Sequence, residues 1–184
     1  MNLLFALLSF LPLLVLPAQA QDVPGEDAAR VTIRALLSVS GPPASGETRM
    51  VVNGSGGIVA EADGAVLEID LAPGNYTVEA VSGLATRSER IRVRPGGGSQ
   101  SFRVNLRSGI LAVRSRSAAR MVLMEAEPDV FGEQPILAET EERVWALTVP
   151  QGRYRLLVEG EAGRKILDQD VEIVPARREV VTTR

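Results

Sequence analysis

The chain has 184 residues, 23 acidic and 20 basic, with neither histidine nor cysteine. That absence excludes a Ser-His-Asp or Cys-His relay, any His or Cys site for zinc, copper or haem, and any disulfide staple, so no catalytic centre, metal or cofactor of those kinds is expected. A net charge of −3 suits ordinary solubility and excludes a general nucleic-acid binder.

Residues 1–20 read as an address rather than as structure. Leu3 to Leu16 is an almost wholly apolar run, and Ala18-Gln19-Ala20 supplies the small residues a signal peptidase accepts. No basic residue precedes the run, so its positive end rests on the α-amino group. Retention as a membrane anchor is the alternative, but Pro12 and Pro17 break the run short of the ~20 apolar residues that span a bilayer. Cleavage near Ala20 would leave Gln21 as the new N-terminus, with 21–29 as a flexible lead. With no cysteine for lipidation or disulfides, the expected home is the periplasm or exterior of a bacterium. The basic residues are all arginine except Lys165, a bias that fits a GC-rich genome.

From residue 30 the pattern is that of short strands. Val31, Ile33 and Ala35 alternate with polar residues, and a Pro- and Gly-rich loop occupies 41–46. Strand signals resume at 49–53, turn at Asn53 to Gly57, and flank Asp63-Gly64 at 58–62 and 64–71, which predicts a two-residue hairpin there. Leu67, Ile69 and Leu71 lead to a turn at Pro73-Gly74. Tyr76, Val78 and Ala80 follow, Gly83 punctuates, and Ile91 and Val93 alternate with Arg90, Arg92 and Arg94. Gly96 to Gly98 is read as a further hairpin into 101–106, since no helix follows to make it a phosphate loop.

The grammar then recurs. Ile110 to Val113 corresponds to the opening strand, and Arg120-Met121-Val122-Leu123 echoes Arg49-Met50-Val51-Val52. A loop is expected over 125–134 and a loop running into strand over 139–144. Trp145, Leu147 and Val149, then Tyr154, Leu156 and Val158, then Val171 and Ile173, repeat the buried parity of the first half. The offset is 78 up to the tyrosine and 80 beyond it, which places two extra residues in the hairpin around Gly160 to Gly163. The expected fold is therefore all-β: two tandem antiparallel β-sandwich domains, 30–107 and 108–184, after a signal peptide.

The phrase Leu71-x-Pro73-Gly74-x-Tyr76-x-Val78-x-Ala80, followed by Gly83, Ile91, Val93 and Pro95-Gly96, resembles the second half of the PEGA and carboxypeptidase-regulatory-like (prealbumin-like) repeats. It is also similar to bacterial immunoglobulin-like repeats of secreted alphaproteobacterial proteins. The resemblance covers Leu71 to Leu106 and weakens in the second copy, where proline moves to position 150. It implies a non-catalytic scaffold.

Individual residues support no chemistry beyond this. A Ser/Lys dyad would have to use Lys165, in a turn where solvent keeps it protonated. Asp168 and Asp170 share a strand face, which reads as solvated rather than as a calcium or glycosidase pair. Asn53 and Asn75 fit glycosylation sequons, relevant only in a eukaryotic secretory route. Tyr76 and Tyr154 are expected to pack in the core with their hydroxyls on loop backbone, as in a tyrosine corner.

One charge pattern stands out. Between Thr86 and Arg120 there are nine arginines against the single acid Glu89. Arg90, Arg92 and Arg94 fall on one strand face and Arg103 on its expected neighbour. Such a face is either neutralised internally, by residues such as Glu79, or is a patch for anionic ligands, because guanidinium forks suit phosphate and carboxylate. The expected function is a non-catalytic structural or protein-interaction module with an envelope protein partner. The alternative is a binder of anionic envelope polymers or lipid headgroups through Arg90, Arg92, Arg94 and Arg103.

Overall fold

The structure, a computed structural model, describes residues 27–44 and 47–183. The expected signal segment and most of the expected lead lie outside the described residues. Ala29 does not belong to a lead: it opens the first strand and is fully buried.

The first seven strands are β1 (Ala29–Leu36), β2 (Thr48–Gly54), β3 (Gly57–Asp63), β4 (Val66–Leu71), β5 (Gly74–Ser82), β6 (Ala85–Val93) and β7 (Ser99–Asn105). They form two sheets, ordered β4-β1-β7 and β3-β2-β5-β6. The next seven are β8 (Ser108–Ser115), β9 (Arg120–Glu125), β10 (Ile136–Thr140), β11 (Val144–Pro150), β12 (Gly152–Glu159), β13 (Lys165–Ile173) and β14 (Arg178–Thr183). Their sheets, β11-β8-β14 and β10-β9-β12-β13, reproduce the first pair strand for strand. The fold is all-β, two sandwich groups in tandem.

Pairing is antiparallel except at two places. β7 runs parallel to β1 and β14 parallel to β8, so each three-stranded sheet closes with its last strand beside its first. This arrangement corrects two expected hairpins. Asp63-Gly64 does not turn one strand onto its neighbour: β3 and β4 belong to different sheets, and the dipeptide carries the chain across the sandwich. Gly96 to Gly98 likewise links β6 to β7 in the opposite sheet. All three glycines there have positive φ, between 64° and 107°, a run that side chains with a Cβ would strain. The turn at 53–57 is a hairpin, joining β2 to β3 through a bulge at Val52/Asn53.

Each sandwich closes on its own apolar core. The first is built from Val31, Ile33, Met50, Val52, Val78, Ala80, Ile91, Val93 and Val104, with Leu67 and Leu71 buried and Ile69 and Tyr76 packed against it. The second holds Leu111, Val113, Met121, Leu123, Val149, Leu156, Val158, Val171 and Ile173, with Trp145, Leu147 and Tyr154 partly buried at its margin. The surface of the repeat matches too, since Arg49 pairs with Glu61 on β3 and Arg120 with Glu139 on β10. The link from β5 to β6 is Gly83-Leu84, whereas β12 reaches β13 through Gly160 to Arg164, with a 3₁₀ turn at Glu161–Gly163 and a bulge at Val158/Glu159. The length added to the second copy sits there.

The two groups meet at the β5–β6 link and where Ile110 and Ala176 of the second pack against the core of the first. The Leu84 N–H donates to the Thr148 carbonyl at 2.9 Å, and the Gln151 N–H to the Arg107 carbonyl at 2.8 Å. Beside them the Thr48 hydroxyl lies 3.1 Å from that of Ser82, which lies 3.3 Å from that of Thr148, all three buried.

Candidate functional site

The arginine cluster is placed by strand parity. On β6, Ala85, Ile91 and Val93 point inward and are buried, which turns Arg90 and Arg92 outward; Arg94 continues the alternation just past the strand. β6 has a neighbour on one side, β5, and is the outer strand of its sheet. Its far edge faces β7, the outer strand of the other sheet, across the open side of the sandwich.

Two grooves flank this edge. One, of about 660 Å³, is rimmed by Arg90, Arg92 and Arg94 and floored by Ile91, Pro95 and Phe102. The other, of about 530 Å³, runs over the sheet surface and is lined by Asn53, Ser55, Asn75, Tyr76 and Thr77 together with Arg90 and Arg92. The groove rim is held by a side-chain clamp: the Arg94 N–H donates to Gln100 Oε1 at 3.1 Å, and Gln100 Nε2 donates to the Arg94 carbonyl at 3.0 Å. Gln100 thus pins the turn through Pro95 to Gly98 to β7.

Arg103 is a correction. β7 pairs with β1 and not with β6, and Arg103 alternates with the inward Phe102 and Val104, so it faces out from the opposite sheet. There it lies in register with Arg34. The expected patch of four therefore resolves into three arginines on one face and one on another.

Glu79, on the same outward face of β5, makes no direct ion pair with these arginines. Glu79 is in register with Ser88, and among the described residues no carboxylate lies within ion-pair distance of Arg90, Arg92, Arg94 or Arg103. The second sandwich supplies the contrast. The positions of Arg90 and Arg92 are taken on β13 by Asp170 and Glu172, and these stand in register with Arg155 and Arg153 on β12. The same two positions on β6 stand opposite Thr77 and Asn75. One copy of the repeat balances this face across strands and the other leaves it cationic.

Asp168 does not belong to a merely solvated face. Arg155 holds it bidentately at 2.6 and 2.9 Å, and Lys165 adds a third contact at 2.7 Å. Hydrogen bonds from Arg155 first and Lys165 second hold its carboxyl well below the usual carboxylate range. Lys165 is exposed, as expected, while its Nζ reaches Asp168. The network continues outward, because Arg155 Nη1 also donates to Gln134 Oε1 at 3.2 Å.

The apolar floor of the first groove, Phe102 with Pro95, was not legible as a site in the sequence. Phe102 reads as an ordinary inward strand residue until β7 is known to lie across from β6. The missing carboxylates were legible in principle, by laying β6 against β13 and each against its hairpin partner.

No protein-family model matches the sequence, and no curated protein matches it. Among solved structures, the chain is similar to the Bacillus anthracis TIE protein at 15% identity and TM-score 0.33, covering 85% of this chain and 33% of that one. It is similar to a minor pilin of Streptococcus agalactiae at 13% identity and TM-score 0.36, covering 84% and 94%. It is similar to a candidate cell-adhesion protein of Bacteroides thetaiotaomicron at 12% identity and TM-score 0.42, covering 85% and 91%.

Proposed function

We propose that the chain is a non-catalytic interaction module of the bacterial periplasm or exterior, binding an acidic partner along β6. The observation that carries this is the groove lined by Arg90, Arg92 and Arg94 with Ile91, Pro95 and Phe102, whose three arginines form no ion pair among the described residues. An unpaired cationic rim steers acidic partners, and an apolar floor rewards partners that also bring an apolar side chain. That combination favours a protein segment. The resemblance to PEGA and prealbumin-like repeats is kept within this proposal, supported by the hydroxyls of Tyr76 and Tyr154 on the carbonyls of Ala72 and Pro150.

An acidic polysaccharide is a second ligand class, favoured by the amides and hydroxyls of Asn53, Ser55, Asn75 and Thr77 beside the same arginines. Binding of poly-glutamate and of polygalacturonate, measured by fluorescence anisotropy, separates the two. The expected result is salt-sensitive binding that Arg90→Glu with Arg92→Glu abolishes while the melting temperature holds, because both side chains are exposed. Preference for polygalacturonate would favour the second class. Binding indifferent to the double reversal, or none, would overturn the proposal.

A further inference from the structure

The β9–β10 loop, remote from the arginine face in sequence, presents the two most exposed large apolar side chains among the described residues. Val130 is 92% exposed and Phe131 85%. The loop around them is ordered by its own bonds. Asp129 Oδ1 accepts the N–H groups of Phe131 at 2.8 Å and Glu133 at 3.0 Å, the Gly132 N–H donates to the Asp129 carbonyl at 3.0 Å, and the Asp129 N–H donates to the Glu133 carbonyl at 2.7 Å. At the base, Gln134 Nε2 donates to the Ala126 carbonyl at 3.2 Å and is itself held by Arg155. A tip so braced keeps Phe131 in water without the entropy that a loose loop would lose on docking.

The charges on this loop are all of one sign. Glu125, Glu127, Asp129 and Glu133 surround the apolar pair, with no basic residue between Arg120 and Arg143. None of the four forms an ion pair among the described residues. An anionic collar opposes approach to an anionic lipid surface and matches a cationic rim around an apolar floor. The β6 groove has that composition: Arg90, Arg92 and Arg94 around Ile91, Pro95 and Phe102. Within one chain the two are unjoined, since Phe131 stands open.

We infer that the Val130-Phe131 tip of one chain seats in the arginine-rimmed groove of a second copy. This rests on the groove being a binding site, as proposed above, and names its partner. The contact is heterologous, tip to groove, so a pair of chains keeps one free tip and one free groove between them, and assembly runs on into a chain or a closed ring.

Sedimentation of the wild-type protein over a concentration series tests it. Self-association is expected to rise with concentration and to dissolve at about 1 M salt, where the Debye length falls to about 3 Å. Phe131→Ser leaves the fold intact because the ring is exposed, and is expected to weaken association about 30-fold or more, the scale of a lost aromatic hot spot. Arg90→Glu with Arg92→Glu is expected to do the same from the other side. An equimolar mixture of the two variants pairs one intact groove with one intact tip, and should form a dimer that does not grow. Wild type that stays monomeric yet binds poly-glutamate would overturn the self-pairing and leave the groove reading standing. Neither self-association nor poly-glutamate binding would remove both. Self-association indifferent to Phe131→Ser, or Phe131-dependent sedimentation with phosphatidylcholine vesicles in its place, would also overturn it, the latter in favour of a lipid surface.

Discussion

Tyr76 and Tyr154 show how one residue ties a turn to a core. Each hydroxyl donates to the carbonyl four residues upstream, at 2.8 Å to Ala72 and 3.0 Å to Pro150, while the ring packs at the core margin and over Gly74 or Gly152. A side chain at either glycine would meet its ring at 3.4 Å. At Tyr154, burial first and the Glu125 charge second raise the hydroxyl's pKa. Asp168 is the other residue on which a local structure turns. Its depressed carboxyl contributes stability that is present above the ordinary carboxylate range and is lost as pH falls through its folded value. Asp168→Asn should therefore lower the melting temperature at neutral pH, and the gap from wild type should close on acidification. A constant gap across the acid range, read in melts from neutral to strongly acidic buffer, would remove Asp168 as the titrating partner of Arg155.

At the scale of the element, β6 is an edge strand, and edge strands invite pairing with other chains. Its inward-parity positions 87 and 89 carry charge where the strand face would otherwise be apolar, and Arg87 Nε donates to Glu89 Oε1 at 3.0 Å. A second chain adding to this edge would have to strip water from both. Arg87→Val with Glu89→Val is expected to extend the apolar face of the edge and raise light scattering on concentration, with little change in secondary structure by circular dichroism. Unchanged scattering would show that the edge is guarded by something else. The neighbouring turn follows the same logic, because Gly96 to Gly98 cross between sheets with positive φ and the Gln100 clamp fixes where the crossing begins. Arg94 owes its place on the groove rim to that clamp.

For the whole molecule, the tightest approach at the β5–β6 link is Gly83 against β11. Its φ is +55°, and a Cβ there would come within 2.5 Å of the Thr148 carbonyl oxygen and 3.0 Å of Leu147. Glycine is thus required both by conformation and by the close approach of the second sandwich. Gly83→Ala is expected to cost about 1–3 kcal/mol in backbone strain alone and to loosen the Leu84–Thr148 bond. Trp145, the single tryptophan, lies on β11 three residues before Thr148 and reports on the junction by fluorescence. A melt and a tryptophan spectrum unchanged in Gly83→Ala would mean that the junction is held by its other contacts, where Ile110 and Ala176 pack against the first core.

The sequence by itself determined the strands and their buried faces. Val78, Ala80, Ile91 and Val93, with their echoes Leu156, Val158, Val171 and Ile173, alternate at a period only a half-buried strand explains, and the repeat made the second set readable from the first. It determined equally that Arg90, Arg92 and Arg94 face outward together. Which strands become neighbours was decided only in three dimensions. Asp63-Gly64 has the composition of a hairpin and serves as a crossing, because β4 gains a place beside β1 that local turn chemistry does not encode. The parallel closure of β7 on β1 is a long-range pairing of the same kind. It carried Arg103 to the opposite face and brought Phe102 under the arginine rim, since a period of two fixes which way a side chain points but not which sheet it points from.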